Sequence, residues 1–359
     1  MKIAIVGLSN SGKTTVFNAL TRGTAETTSF TSGRFEPNLS SVKVPDPRLD
    51  VLAEIYKPRK LTAAEVQYVD VGGVKGKNEN TELSAEILGY IGTADALLHV
   101  VRGFEDEKVP HPAEIVNPEA DLASFDLELI FSDLLIIERR LERLGKELKK
   151  ISGQEKKNKI DEQEILFRLK EALEEERPIR DLELSSQEEK LIRGYALLSK
   201  KPVLIVLNVG EEQLFEPPSL EYAHLSSAVV ALSAKIEEEL TQLEESDARE
   251  FMESLKIEEP ARDRVIAASY ALLGLISFLT VGEDEVRAWT IRQGTVAVEA
   301  GGVVHSDIER GFIRAEVLSF ENLVKSGSMA AARKQGLVRL EGRQYVLQDG
   351  DISHFLFNV

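Results

Sequence analysis

Gly7, Gly12, Lys13 and Thr14 stand at the spacing G-x-x-x-x-G-K-[ST], with Leu8, Ser9, Asn10 and Ser11 between the glycines. These residue types at this spacing suit the cradling of a polyphosphate. Glycines let successive backbone N–H groups converge on an anion, and a helix N-terminus adds a favourable dipole. Lys13 is placed to reach the β- and γ-phosphates and to share in catalysis, and Thr14 offers a hydroxyl to Mg2+. Asn10, Ser11, Gly12, Lys13, Thr14 and Thr15 are the expected phosphate contacts. The context agrees: Ile3 to Val6 reads as a short buried strand, and Lys13 to Leu20 carries helical spacing through Val16, Phe17 and Leu20.

Further groups stand where such a core would use them. Asp70-Val71-Gly72-Gly73 ends a second strand pattern; Asp70 is positioned for Mg2+ and the N–H of Gly73 for a γ-phosphate. Asn208-Val209-Gly210-Glu211 and Ser233-Ala234-Lys235 follow two later strands, where a nucleotide base pocket is built. A guanine reader uses N-K-x-D there, its Asp accepting from the N1–H and N2–H2 of guanine. Here Val209 replaces the Lys and Glu211 the Asp, which argues against guanine and favours adenine by elimination. Val74 follows Gly73 where a water-orienting Gln is usual. Hydrolysis therefore needs another group. His111, in the loop Val109-Pro110-His111-Pro112, is one candidate, although a loop histidine is more often a solvated bystander. A second reading is a GTPase whose pocket tolerates Glu211. A third is a non-catalytic, nucleotide-gated interaction module.

The elements that must hold these groups read as a mainly parallel α/β sheet, with strands at Ser41–Val44, Val66–Val71, Ala96–Val101, Val203–Leu207 and Val229–Leu232. Ile130, Leu134, Ile137, Leu141, Leu144, Leu148 and Ile151 form a heptad seam, so residues 127–200 read as an inserted coiled-coil hairpin. Its tip is predicted at Gly153 to Asn158, and Ser185 with Glu188 has the pattern of a capping box. Residues 1–126 and 201–275 are assigned to the core and 276–359 to a separate small α+β domain. The strand patterns of that domain lie at Val286–Ile291, Val296–Glu299, Phe312–Val317, Arg339–Glu341 and Tyr345–Leu347.

The 359 residues carry a formal net charge of -17, which disfavours non-specific binding to a phosphate backbone unless a local basic patch works against it. Lys146, Lys149, Lys150, Lys156, Lys157 and Lys159 are the best such patch, although glutamates interleave with them. There are no cysteines, so disulfides and cysteine-ligated metal are excluded. No apolar run has the length of a signal-peptide core or a membrane span, and a cytoplasmic protein without membrane or DNA partners is expected.

These residues resemble the YchF/Obg-like ATPase family, the TGS-domain branch of the translation-factor-related P-loop NTPases. The resemblance covers essentially the whole chain. It is carried by Pro45-Asp46-Pro47-Arg48-Leu49-Asp50, Glu36-Pro37-Asn38, Val286-Arg287-Ala288-Trp289-Thr290, His305-Ser306-Asp307, Gly311-Phe312-Ile313-Arg314-Ala315, Asp349-Gly350-Asp351 and the tail Phe355 to Val359. It implies a GTPase-like core, an inserted helical hairpin and a C-terminal TGS domain of β-grasp type. It implies ATP over GTP, since Asn208 and Glu211 match the family's N-x-x-E, and it implies His111 as the catalytic histidine. It also implies ribosome or RNA contact through the helical and TGS parts. In some relatives an Asn at the position of Asn10 helps to hold K+. This chain departs from the family at Arg34, where a switch Thr is usual, with Thr31 a possible substitute, and at Gly72, where Ala is more frequent.

Overall fold

The computed structural model describes residues 1–21, 38–71 and 85–358. Gly72, Gly73, Val74, Thr31 and Arg34 lie outside them. By internal contacts the chain falls into two units, residues 1–40 with 67–265 and residues 41–66 with 266–359.

In chain order the elements to the hairpin are β1 (Lys2–Val6), α1 (Lys13–Thr21), β2 (Asn38–Lys43), α2 (Pro47–Tyr56), β3 (Lys60–Thr62), β4 (Glu65–Asp70), α3 (Ala85–Thr93), β5 (Ala96–Arg102), α4 (Pro118–Glu147) and α5 (Gly153–Glu174). Then follow α6 (Ser186–Ile192), β6 (Val203–Asn208), β7 (Ser227–Leu232), α7 (Ala234–Gln242), α8 (Glu245–Ser254) and α9 (Ala261–Leu272). The first sheet has the order β2-β4-β1-β5-β6-β7. The pairs β1–β4, β1–β5, β5–β6 and β6–β7 are all parallel. Every residue of β5 and β6 is buried, as strands covered on both faces require. This order brings the carboxyl ends of β1, β4 and β6 to one edge, where Gly7, Asp70 and Asn208 stand.

The helical insertion forms as the seam predicted, but its limits differ. α4 begins at Pro118, because Asn117 caps it by accepting from the Ala120 N–H at 3.1 Å and Pro118 occupies the first turn. Residues 153–158 are not the tip. They form the first turns of α5, with Gly153 at φ 67° following Ser152 at the N-cap, and the chain reverses over residues 148–152. Ile130, Ile137 and Leu144 of α4 pack with Leu166, Leu169 and Leu173 of α5 in one buried cluster. The base of α4 is tied down by a carboxylate: Asp133 accepts from the N–H groups of Leu198 and Ser199, both at 2.7 Å, and from Ser199 Oγ at 2.6 Å. Ser185 and Glu188 form the predicted capping box at the start of α6.

The second unit contains β8 (Leu275–Thr280), β9 (Glu285–Arg292), α10 (Ala297–Val304), β10 (Phe312–Ser319), β11 (Arg339–Glu341) and β12 (Asp351–Phe357). Its sheet has the order β11-β10-β12-β8-β9-β3. Residues 41–66 belong here because β3 adds in parallel beside β9. Arg48, held by Asp46, also reaches Asp349 Oδ2 at 2.8 Å. The Pro45–Asp50 motif and the Asp349–Asp351 turn are thus two halves of one ion-paired structure. β8 is not among the strand patterns read from the sequence. Gly274, at φ 62°, closes α9 in the left-handed conformation and lets the chain leave as a strand. Val296–Glu299 is not a strand: Val296 makes an isolated bridge to Val346 and α10 begins at the next residue. Among the described residues no helix is long and apolar enough to cross a membrane.

Candidate nucleotide site

The turn between β1 and α1 depends on two glycines. Gly7 has φ 141° and Gly12 φ 98°. A Cβ at Gly7 would run into the Val100 carbonyl oxygen, and one at Gly12 into Asn208 Nδ2. Asn10 adopts φ 65°, which Asn tolerates better than most residues, and its Nδ2 donates to the Pro110 carbonyl at 3.0 Å. Lys13 Nζ lies back over the loop and donates to the Leu8 carbonyl at 2.7 Å. Ser11 is buried, and its backbone carbonyl, rather than its hydroxyl, is the atom in use: it accepts from Asn208 Nδ2 at 2.9 Å.

Asn208 is the junction of the site. While Nδ2 holds the P-loop, Oδ1 accepts from the Ala234 N–H at 3.0 Å. One buried amide at the end of β6 thereby joins the phosphate loop to the turn before α7. Ser233 is the N-cap residue of that helix and is buried, as is Ala234. Glu211 is exposed and opens a single 3-10 turn, Glu211–Gln213. Val209, expected at the base pocket, is instead only 2% exposed and sits in the hydrophobic core. Its N–H donates to the Leu232 carbonyl at 2.9 Å, which fixes it as part of the sheet edge.

Thr14 Oγ1 and Asp70 Oδ2 lie 3.2 Å apart. They supply two hard oxygen donors side by side, one from α1 and one from the end of β4. Mg2+ takes few protein ligands and completes its octahedron with phosphate oxygens and water, so this pair fits it.

His111 lies in the same unit, and its loop touches the P-loop through the Asn10–Pro110 bond. Its side chain is buried. Nδ1 accepts from the Ala113 N–H at 3.1 Å, so the proton resides on Nε2, which donates to Asp121 Oδ2 at 3.1 Å. Both ring nitrogens are engaged, and in this arrangement the ring has no lone pair for a water. Burial pushes the Asp121 carboxyl above its ordinary value, and the His111 contact partly offsets that.

Three contributors were not anticipated from sequence. Asp121 is the partner that holds His111. Pro110 supplies only a carbonyl, and a backbone acceptor carries no side-chain signal. Arg102, at the end of β5, is 2% exposed and has no carboxylate partner among the described residues. Its Nε donates to the Phe104 carbonyl at 3.0 Å and its guanidinium lies 4.4 Å from the centre of the Phe104 ring. It pins the start of the loop that carries Pro110 and His111. An arginine closing a strand that is apolar but for His99, directly before Gly103, was the available signal.

A mostly parallel sheet with a glycine-rich turn feeding a helix, a Thr–Asp pair for a cation and an asparagine bracing the loop defines the class: a P-loop nucleoside triphosphate-binding core with GTPase-like architecture. Residues 2–209 match the family described as "50S ribosome-binding GTPase", and residues 275–358 match the YchF GTPase C-terminal family, described as a protein of unknown function. The chain is similar to the ribosome-binding ATPase YchF of Bacillus subtilis (strain 168), at 43% identity covering 99% of this chain and 98% of the relative. It is similar to the protein of the same name from Pasteurella multocida (strain Pm70), at 41% identity covering 100% and 99%. The structure of the Schizosaccharomyces pombe YchF GTPase superposes with a TM-score of 0.87 at 32% identity, covering 99% of this chain and 97% of that one. The chain belongs to the YchF family.

Proposed function

We propose that this protein binds ATP with Mg2+, hydrolyses it slowly in the cytoplasm, and uses its nucleotide state to control association with the ribosome. The observation that carries the reading is the Asn208 brace, which ties the phosphate loop to the turn before α7. With Glu211 in place of Asp and Val209 in the core, the guanine-reading carboxylate and lysine are both missing, and adenine becomes the preferred base. Thr14 and Asp70 would hold Mg2+, which neutralises phosphate charge. Lys13 would leave the Leu8 carbonyl for the β- and γ-phosphates, and the N–H of Gly73 belongs to the same proposal. A K+ ion beside the phosphates is part of it too: Asn10 Nδ2 is committed to Pro110, which leaves Oδ1 as the cation ligand. The relatives named as ribosome-binding ATPases support both the base and the partner.

For hydrolysis we assign His111 as the group that orients or deprotonates water once it leaves Asp121. The arrangement seen here is then a resting state, and it also supports the alternative of a nucleotide-gated module without turnover. Single-turnover ATP hydrolysis by wild type and His111→Ala separates the two. General-base loss lowers rates by roughly 10²- to 10⁴-fold. A His111→Ala rate equal to wild type removes His111 from catalysis, and a wild type without turnover leaves the binding module.

A further inference from the structure

We infer that Arg102 is a positioning residue for hydrolysis: from the end of β5 it fixes the loop that carries His111. This rests on the assignment of His111 as the group that acts on water. Arg102 closes a strand in which every residue is buried. Only 2% of it is exposed, and among the described residues it has no carboxylate partner and its Nη1 makes no hydrogen bond. Taking a guanidinium out of water is expensive, and an apolar chain in place of a buried charge often leaves a fold as stable or more so. Packing alone therefore does not explain an arginine here.

What the guanidinium does hold is the loop. Nε donates to the Phe104 carbonyl at 3.0 Å, Nη2 donates to the Asp106 carbonyl at 3.4 Å, and the group lies 4.4 Å from the centre of the Phe104 ring. Asp106 is the node of the turn that follows. Its carbonyl also accepts from the Val109 N–H at 3.1 Å, and its side chain accepts from the Lys108 N–H at 2.9 Å. Val109 and Pro110 lead directly to His111. The base of the loop is fixed to the nucleotide edge of the sheet. Arg102 stands opposite Asn208 in the ladder, and the Gly103 N–H donates to the Asn208 carbonyl at 2.8 Å.

The loop thus has anchors of different kinds. Asp121 and the Ala113 N–H hold the His111 ring itself. Asn10 holds Pro110 and belongs to the phosphate loop. Arg102 holds Phe104 and Asp106 and belongs to the sheet. Once the ring leaves Asp121, that anchor is gone, and the Asn10 anchor moves with the P-loop. Arg102 stays with the sheet, so it sets where the ring can reach. The shape of the group matters more than its charge: a planar guanidinium serves two carbonyls and a ring face together, which an ammonium does not.

The test compares the full chain with Arg102→Met, Arg102→Lys, His111→Ala and the double variant Arg102→Met/His111→Ala, by single-turnover ATP hydrolysis and urea unfolding. A misplacement of about 1 Å can cost on the order of 100-fold, so Arg102→Met should slow hydrolysis roughly 10- to 100-fold. The ATP concentration giving half the maximal rate should change by less than about threefold, because the ground-state contacts are kept. The urea midpoint should match or exceed that of wild type. Arg102→Lys should be as slow as Arg102→Met, and the double variant no slower than His111→Ala. A wild-type rate in Arg102→Met overturns the inference, as does full rescue by Arg102→Lys, which would mean that charge alone acts. A double variant slower than a slow His111→Ala also overturns it, and a urea midpoint lowered in both arginine variants marks a merely structural role. If Arg102→Met does not fold, the rate of Arg102→Lys decides by itself. A His111→Ala rate equal to wild type ends the assignment of His111 and the inference with it. A slow His111→Ala beside a fast Arg102→Met ends the inference alone.

Discussion

Replacing Asn208 by Ala removes the amide that ties the P-loop to the turn before α7. Two buried groups lose their partner: the Ser11 carbonyl, bonded at 2.9 Å, and the Ala234 N–H, bonded at 3.0 Å. A buried polar group left unsatisfied costs about 1–3 kcal/mol. Asn208 is only 5% exposed, so water does not simply replace the amide, and the two losses together come to about 3 kcal/mol. The expected result is a matching drop in stability on urea unfolding of the nucleotide-free protein. A weaker affinity for a fluorescent ATP analogue should accompany it, because the loop no longer starts in its binding shape. Asn208→Asp is the sharper probe. It keeps an acceptor for Ala234 but turns a second oxygen towards the Ser11 carbonyl, so an isosteric change should loosen the loop as much as Ala does. If Asn208→Ala unfolds within about 0.5 kcal/mol of wild type and binds the analogue equally well, the brace is not what shapes the phosphate site.

Asp133 gives a pH signature for the hairpin base. Burial pushes its carboxyl up to about 6 from an ordinary value of 3.8, against the three bonds it accepts from Ser199 and Leu198. A raised value in the folded state means that stability is present at low pH and lost as pH rises through about 6. The stability of wild type relative to Asp133→Asn should therefore fall between about pH 4 and pH 6, by roughly 3 kcal/mol for a two-unit shift, in urea titrations across that window. A pH-independent difference would show that Asp133 does not titrate there. For Asn10, hydrolysis should run faster in potassium than in sodium at equal ionic strength, and equal rates remove K+ from the site.

Much of this was legible because the signals were local. The P-loop combines glycine geometry, a lysine and a hydroxyl within eight residues, and its strand and helix flank it directly. The heptad seam announced two packed helices for the same reason. The tip was misplaced because Gly153 and the polar run after it resemble a turn, whereas the chain had already reversed by Ser152. Val209 was read by analogy of position with a lysine, yet a valine at the end of a buried strand packs inward, as its hydrophobicity dictates. Asp121 and Pro110 were out of reach: each acts by a contact to a residue that sequence spacing does not single out. Residues 41–66 were assigned to the core by order along the chain, while the pairing of β3 with β9 is a non-local register that no short motif records.

The central claim is an ATP-selective phosphate site in which Glu211 and a buried Val209 have displaced guanine recognition. Competition of ATP and GTP for a bound fluorescent nucleotide, in Mg2+ and with the same protein sample, tests it most directly. ATP should displace the probe at clearly lower concentration than GTP, and Glu211→Asp with Val209→Lys should narrow that gap. GTP displacing as well as ATP, or better, contradicts the account.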